Sequence, residues 1–225
     1  MPRGHYGTSM LAELQRHLSD IYQVGDAYDV RDYVITDPTL AKYIGQDAML
    51  TNTDETLLVS EDEGGLALSL FLDGDMLTRL ESSNPLDCLR AEFLDDLWKV
   101  LEGISHFNCV VWKASQERTV SLLELELQGE IDKFVSTMLL AMGQADSELL
   151  NGLHGWLFDN VSFHDELDGE QLDRYRSAND FAARFCHGLR RQLIEDDQLA
   201  LIELRRFYRL QLGDKISHIQ AQAWS

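Results

Sequence analysis

The chain opens with Met10, Leu11, Leu14, Leu18, Ile21 and Tyr22, apolar positions that recur every three or four residues. That period predicts an amphipathic helix over residues 10–24, with Thr8 or Ser9 as its cap. Residues 28–36 carry Tyr28, Val30, Tyr33, Val34 and Ile35 and read as β-prone. Asp37-Pro38 then supplies an N-cap followed by proline at the first helical position, and Gly45 ends a short helix. The pattern next switches to a period of two. Residues 56–60 and 66–72 flank Glu61-Asp62-Glu63-Gly64-Gly65, which predicts a β-hairpin with acids in water and glycines free to take positive φ. In the second arm Leu66, Leu68, Leu70 and Leu72 share one face, and helices are expected to cover it.

From residue 86 the period is helical almost throughout. Asn84-Pro85 predicts the start of a helix reaching about residue 114, with Phe93, Leu97, Leu101, Ile104, Phe107 and Val111 along its apolar stripe. After a polar joint at 115–119, residues 120–142 predict a second helix facing inward through Leu123, Leu127, Ile131, Phe134, Met138 and Ala141, with Gly143 as its terminal glycine. Within it Leu123, Leu125 and Leu127 alternate with Glu124 and Glu126 as in a strand, but the wider window is rich in good helix formers. The short joint predicts an antiparallel pair. Further helices follow over 149–158, from Asp168 to about 191 and from Asp196 or Asp197 onward. The last of these carries Leu199, Ile202, Leu204, Phe207, Tyr208 and Leu210, and beyond Gly213 it continues with Ile216, Ile219 and Trp224. Residues 161–169 read as a charged loop. The expected fold is mainly α (α+β): a helical bundle with a small N-terminal antiparallel hairpin or sheet. It forms one compact unit over 10–225, divided into an α+β part (10–80) and a bundle (81–225), behind a flexible 1–9.

Charge changes this picture by dividing the chain unevenly. Residues 1–173 hold 33 Asp+Glu against 10 Lys+Arg, and residues 174–225 hold 9 Lys+Arg against 6 Asp+Glu. The total of -20 opposes approach to nucleic acid and to anionic membranes. The basic third, with Arg176, Arg184, Arg191, Arg205, Arg206 and Arg209, reads either as an anion or nucleic-acid patch or as Asp/Arg pairing along the helix and docking against the acidic body, and the total charge favours the second. With 44% hydrophobic residues, the chain can bury a core, and disorder throughout is excluded. No apolar run approaches a membrane span, and no secretory signal is evident, so a cytoplasmic location is expected. Cys88, Cys109 and Cys186 have no CxxC spacing and suit no disulfide framework. Cys109 and Cys186 read as small buried hydrophobes. The basic neighbours of Cys186 raise the alternative of a reactive thiol.

Phosphate-binding loops, dinucleotide fingerprints, nucleophile elbows, zinc-protease motifs and calcium loops are all missing. One constellation remains. At about 100° per residue, Asp95, Trp98, His106, Cys109 and Lys113 fall within about 40° of Glu102 on one helix. The following helix offers Glu126 and Glu130, one turn apart, with Glu124 and Asp132 nearby. Helical bundles rich in carboxylates hold metals through Glu-x-x-His pairs. Here the spacing is one residue longer and occurs once. Glu102, His106, Glu126 and Glu130 are therefore the candidate ligands of a divalent metal. The plainer alternative leaves Asp95, Glu102 and Lys113 in water and packs His106 against a hydrogen-bond partner. Gly103, inside the helix, marks either a close approach of another element or a ligand.

Three functions follow as expectations. The first is a protein–protein interaction or regulatory module that contacts a protein partner or itself, without nucleic acid or membrane. The second is a metal-dependent bundle enzyme built on the four residues above. The third is an acidic mimic of nucleic acid.

Overall fold

The computed structural model describes residues 8–25, 27–45, 53–62, 65–161 and 167–222. Helix α1 (Thr8–Tyr22) leads, with Met10, Leu11, Leu14, Leu18 and Ile21 buried, as the period requires. It begins at Thr8, so neither Thr8 nor Ser9 stands outside it as a cap. The β-prone stretch yields little strand. A 3₁₀ turn occupies Val30–Asp32, because the Asp29 side chain accepts from the Arg31 amide, and strand β1 is only Val34–Ile35. Helix α2 (Pro38–Gly45) starts where Asp37 accepts from the Thr39 amide at 2.8 Å.

Strands β2 (Glu55–Asp62) and β3 (Gly65–Leu72) form the expected hairpin, and β3 lies between β1 and β2. The sheet is mixed rather than wholly antiparallel: β1 runs parallel to β3 in the register Val34–Leu70, and β2 runs antiparallel with Glu55 opposite Leu72. Gly65 takes φ +120°, while Glu63 and Gly64 of the expected turn lie outside the described residues. On the leucine face Leu70 and Leu72 are buried, whereas Leu66 is 41% exposed because the hairpin tip runs past its cover. Helix α3 (Gly74–Ser82), capped by Asp73 on the Met76 amide, was not expected from the periodicity.

The helix predicted from residue 86 starts later, as α4 (Leu94–Ser115). Gln144 prevents an earlier start. Its Nε2 donates to the carbonyl of Pro85, and its Oε1 accepts from the Leu89 amide at 2.6 Å. Asn84 also draws in the Leu86 amide, so residues 84–90 are held in turns. Helix α5 (Leu122–Gly143) follows, capped by Ser121, and the alternating segment is helical. The left-handed residue after it is Ala145 (φ 57°), not Gly143. Lys113 meets Glu124, Ser105 meets Asp132, Glu102 meets Lys133 and Trp98 meets Thr137, so α4 and α5 run antiparallel.

Helices α6 (Ser147–Phe158), α7 (Gly169–Glu195), α8 (Asp197–Tyr208) and α9 (Leu212–Gln222) wrap this pair. Asp168 and Gln171 close a capping box at the start of α7, and Asp196 caps α8. The continuation expected at Trp224 and the residues 162–166 of the charged loop lie outside the described residues. Leu199 and Ile202 face outward, at 53% and 61% exposed, because α8 turns Ala200, Leu204 and Phe207 inward instead. The core is continuous from α1 through β3, α4 and α5 to α9. No helix among the described residues is long and apolar enough to cross a membrane.

Candidate metal centre

Helix α5 is buried on nearly every side, so its polar residues had to find partners inside the protein. They sort onto two sides. On one, Glu124 accepts from Lys113 Nζ at 2.7 Å and lies 3.2 Å from Lys215 Nζ, both lysines being at most 1% exposed. Lys215 also donates to Gln128, Gln128 donates to Asp132, and Asp132 accepts from Ser105 and Tyr22. This side holds two ammonium groups and two carboxylates, so it balances.

The other side contains the four residues predicted as ligands: Glu102 and His106 offer donor atoms close together, Glu126 lies 3.9 Å from His106, and Glu130 reaches Glu102 only through Lys133, outside that donor set. Glu55 joins them from β2. The approach is tight: a Cβ on Gly103 would lie 2.9 Å from Leu70 Cδ1 and 3.0 Å from Glu55 Cγ. Gly129 performs the same service on α5, where a Cβ would lie 3.1 Å from His106 Nε2. Both helix-interior glycines of the α4–α5 pair thus make room for this cluster. Lys133 Nζ bridges Glu130 (2.8 Å) and Glu102 (3.0 Å), and Arg174 of α7 places Nε 3.8 Å from Glu126.

One donor set stands apart: Glu55, Glu102 and His106 each offer an atom within 4.8 Å of the others. His106 presents Nδ1 to Glu55 Oε1 and Nε2 to Glu126 Oε2, both at 3.9 Å. Neither gap is a hydrogen bond. Glu55 Oε1, His106 Nε2 and Arg174 Nε are buried with no hydrogen-bond partner. Burial pushes the Glu55 carboxyl well above its ordinary value, with Glu102 and Glu126 adding to the rise. Burial, then Glu102, raises Glu126 to about 8. Glu130 is raised in the same way. Burial also works against the charged form of Glu102, but Lys133 and then His106 outweigh it and hold that carboxyl low. Burial lowers the His106 imidazole against the pull of Glu102.

The remaining candidates lie elsewhere. Asp95 is exposed and pairs with Lys99 at 2.7 Å, and Trp98 bonds Thr137. Cys109 is buried beside Val110 and Leu125, its thiol raised to about 11 first by burial. Lys113, Glu124 and Asp132 belong to the balanced side. Cys186 is fully buried and its thiol is raised well above the ordinary value by desolvation, so its basic sequence neighbours do not activate it. Within the basic third, Arg174 faces Glu126, whereas three other arginines seek carbonyls. Arg205 and Arg209 donate to the carbonyls of Ile21 and Tyr22 at the end of α1, and Arg190 donates to that of Leu150.

Sequence reasoning missed Glu55, Lys133 and Arg174. Glu55 had a signal: it stands two residues before Leu57, in phase with the inward face of β2. Arg174 had none, because only the packing of α7 on α5 brings it near Glu126. No protein-family model, curated protein or solved structure matches the chain.

Proposed function

We propose that the protein binds one divalent transition-metal ion through Glu55, Glu102 and His106, and that the ion fastens the β2–β3 hairpin to the α4–α5 pair. The observation that carries this reading is the mutual approach of the three donors, with Glu55 Oε1 buried and without a partner on the Nδ1 side of His106. Four carboxylates (Glu55, Glu102, Glu126, Glu130) face two fixed cations, Lys133 and Arg174, so the cluster falls two positive charges short. A divalent ion supplies that deficit; protons on Glu55 and Glu126 are its competitors. Donors on one ion at about 2.0–2.2 Å sit no more than about 4.4 Å apart, so modest side-chain movements close the set. Glu126, on the far nitrogen of His106, then orients the imidazole, as carboxylates do for metal-bound histidines. Mixed imidazole and carboxylate ligation suits Zn, Fe or Mn. Glu130, which Lys133 holds, is a bystander in this arrangement.

The test is metal analysis of chelator-stripped protein re-exposed to each ion in turn, with thermal melts alongside. One equivalent of Zn, Fe(II) or Mn should be retained. Free ion at 100 times Kd should stabilise the protein by about 2.7 kcal/mol, or about 5–11 °C in a chain of this size. Glu55→Gln and His106→Ala should abolish both effects, and Glu130→Gln should keep them. Failure of every ion to bind stoichiometrically would retire the reading.

A second reading, contact with a protein partner, is favoured by one observation: Ile194, Leu199 and Ile202 lie 53%, 53% and 61% exposed around the turn from α7 to α8. If this patch pairs, Ile202→Glu should lower the apparent mass in sedimentation at high protein concentration; an unchanged mass would count against self-association.

A further inference from the structure

Strand β2 is an edge of the sheet: among the described residues, only β3 lies beside it. Two hydrogen bonds fix the direction of its backbone groups. The Asp73 N–H donates to the Asp54 carbonyl at 2.8 Å, so residue 54 turns toward β3. The Leu70 N–H donates to the Tyr33 carbonyl at 2.9 Å, so residue 70, which stands opposite Leu57, turns toward β1. Hydrogen-bonded and non-hydrogen-bonded pairs alternate along an antiparallel ladder. Glu55, Leu57, Val59 and Glu61 therefore point their N–H and C=O groups away from β3. The hydroxyls of Thr53 (2.6 Å) and Thr56 (2.5 Å) occupy the Glu55 carbonyl. Leu57, Val59 and Glu61 are left to present three N–H and three C=O groups along the free edge.

Such edges are ordinarily blunted by shortness, a bulge, proline or lysine. Strand β2 has none of these. It runs for eight residues, each opposite one residue of β3, and its middle is Thr56-Leu57-Leu58-Val59-Ser60. Toward the tip, Val59 and Leu66 are 51% and 41% exposed, so the face of the sheet that α4 covers ends in open apolar surface. Acids stand only at the two ends of the strand, Glu55 at one and Glu61-Asp62 at the other. They act against a second copy. Antiparallel self-pairing centred on Leu58 sets Glu55 opposite Glu61 at both ends, and self-pairing centred on Val59 sets Glu61 opposite Leu57. Like charges directly opposite are destabilising, and each copy carries -20. The same acids attract a strand that bears cations.

We infer that the free edge of β2 takes up an extended segment of another protein, apolar at alternate positions and bearing lysine or arginine at the end that meets Glu61. The segment continues the ladder through its backbone, and its apolar side chains extend the surface of Val59 and Leu66. This surface is separate from the patch around the turn from α7 to α8, and the inference does not rest on the metal reading.

The probe is a capped peptide of five alternating valines and threonines with two lysines at each end. It should bind saturably, and at saturation hydrogen exchange at the amides of Leu57, Val59 and Glu61 should slow by at least about tenfold. The same peptide with glutamates in place of the lysines should bind at least about tenfold more weakly. Val59→Pro removes an N–H that makes no bond to β3, and proline is tolerated where the N–H faces away from the sheet. This variant should weaken the lysine peptide by at least about tenfold and leave the circular dichroism unchanged. If it fails to fold, peptides N-methylated at alternate residues replace it. Methylating the amides that face β2 should abolish binding, and methylating the others should not. No saturable binding, or binding that survives Val59→Pro and both methylated peptides, would overturn the inference. So would a wild-type dimer in sedimentation that Val59→Pro dissociates, because the edge would then belong to a second copy.

Discussion

Two side chains on α5 show how differently buried charge behaves within one helix. Lys133 sits between Glu102 and Glu130, which raise its ammonium well above the ordinary range despite burial that works the other way. In the metal reading it also competes with the ion for Glu102. Lys133→Gln should therefore weaken the metal-free protein by about 3–5 kcal/mol, the usual result of stripping one partner from a buried pair. The same variant should bind the ion more tightly, which titration calorimetry with Zn or Mn would read; weaker binding would place Lys133 among the supports of the site. Asp132, one residue earlier, is raised from 3.8 to about 6 by burial, against the hydrogen bonds from Ser105, Tyr22 and Gln128. Between those values the folded state keeps a proton that the unfolded chain has released. Stability from this group is thus complete below about pH 4 and is lost as pH rises through about 6, a span worth about 3 kcal/mol at most. Urea titrations at pH 4.5 and 7 should show the wild type losing more stability than Asp132→Asn over that interval. Equal losses would mean that the donors around Asp132 hold it ionised throughout.

Elements meet here through missing side chains as much as through present ones. Gly103 lets β2 and β3 lie against α4, so Gly103→Ala sets its helix preference of about 1 kcal/mol against overpacking of about 1–3 kcal/mol. The expected outcome is a net loss in denaturant titration, with the hairpin amides exchanging faster than those of α5. A gain in stability would show that Glu55 simply swings aside. Leu127→Ala, at a fully buried position between α4 and its neighbours, should cost about 2–5 kcal/mol. The periodicity made Leu127 and the α4–α5 pair legible, because a core face repeats along a helix. It could not show that Gln144, more than 50 residues away, would hold residues 84–90 in turns. Leu199 and Ile202 misled for a related reason: an apolar residue at helical spacing looks the same whether it meets the core or faces outward. The pairing of Glu102 with His106 was legible as one face of one helix. Its completion by Glu55 depended on which way a strand turned.

The whole molecule carries -20, yet several of its acids are internal and matched to lysine or arginine. The excess therefore lies chiefly on the surface of the first three-quarters of the chain, where like charges repel within a Debye length of about 8 Å at 0.15 M salt. Melting temperature should rise from low salt to about that ionic strength. A flat curve would mean that the surface acids are spaced too widely to interact.

The balanced side of α5 also sets an order in time. Glu124 and Asp132 leave the ribosome with α5, and Lys113 has preceded them, but Lys215 belongs to α9 and is made last. At about 5–20 residues per second, the 72 residues from Gly143 to Lys215 take roughly 4–14 s to add. Until then one of the most deeply buried helices of the protein lacks the cation that completes its interior, and a nascent chain halted within that interval would hold an unneutralised carboxylate where the finished protein has none.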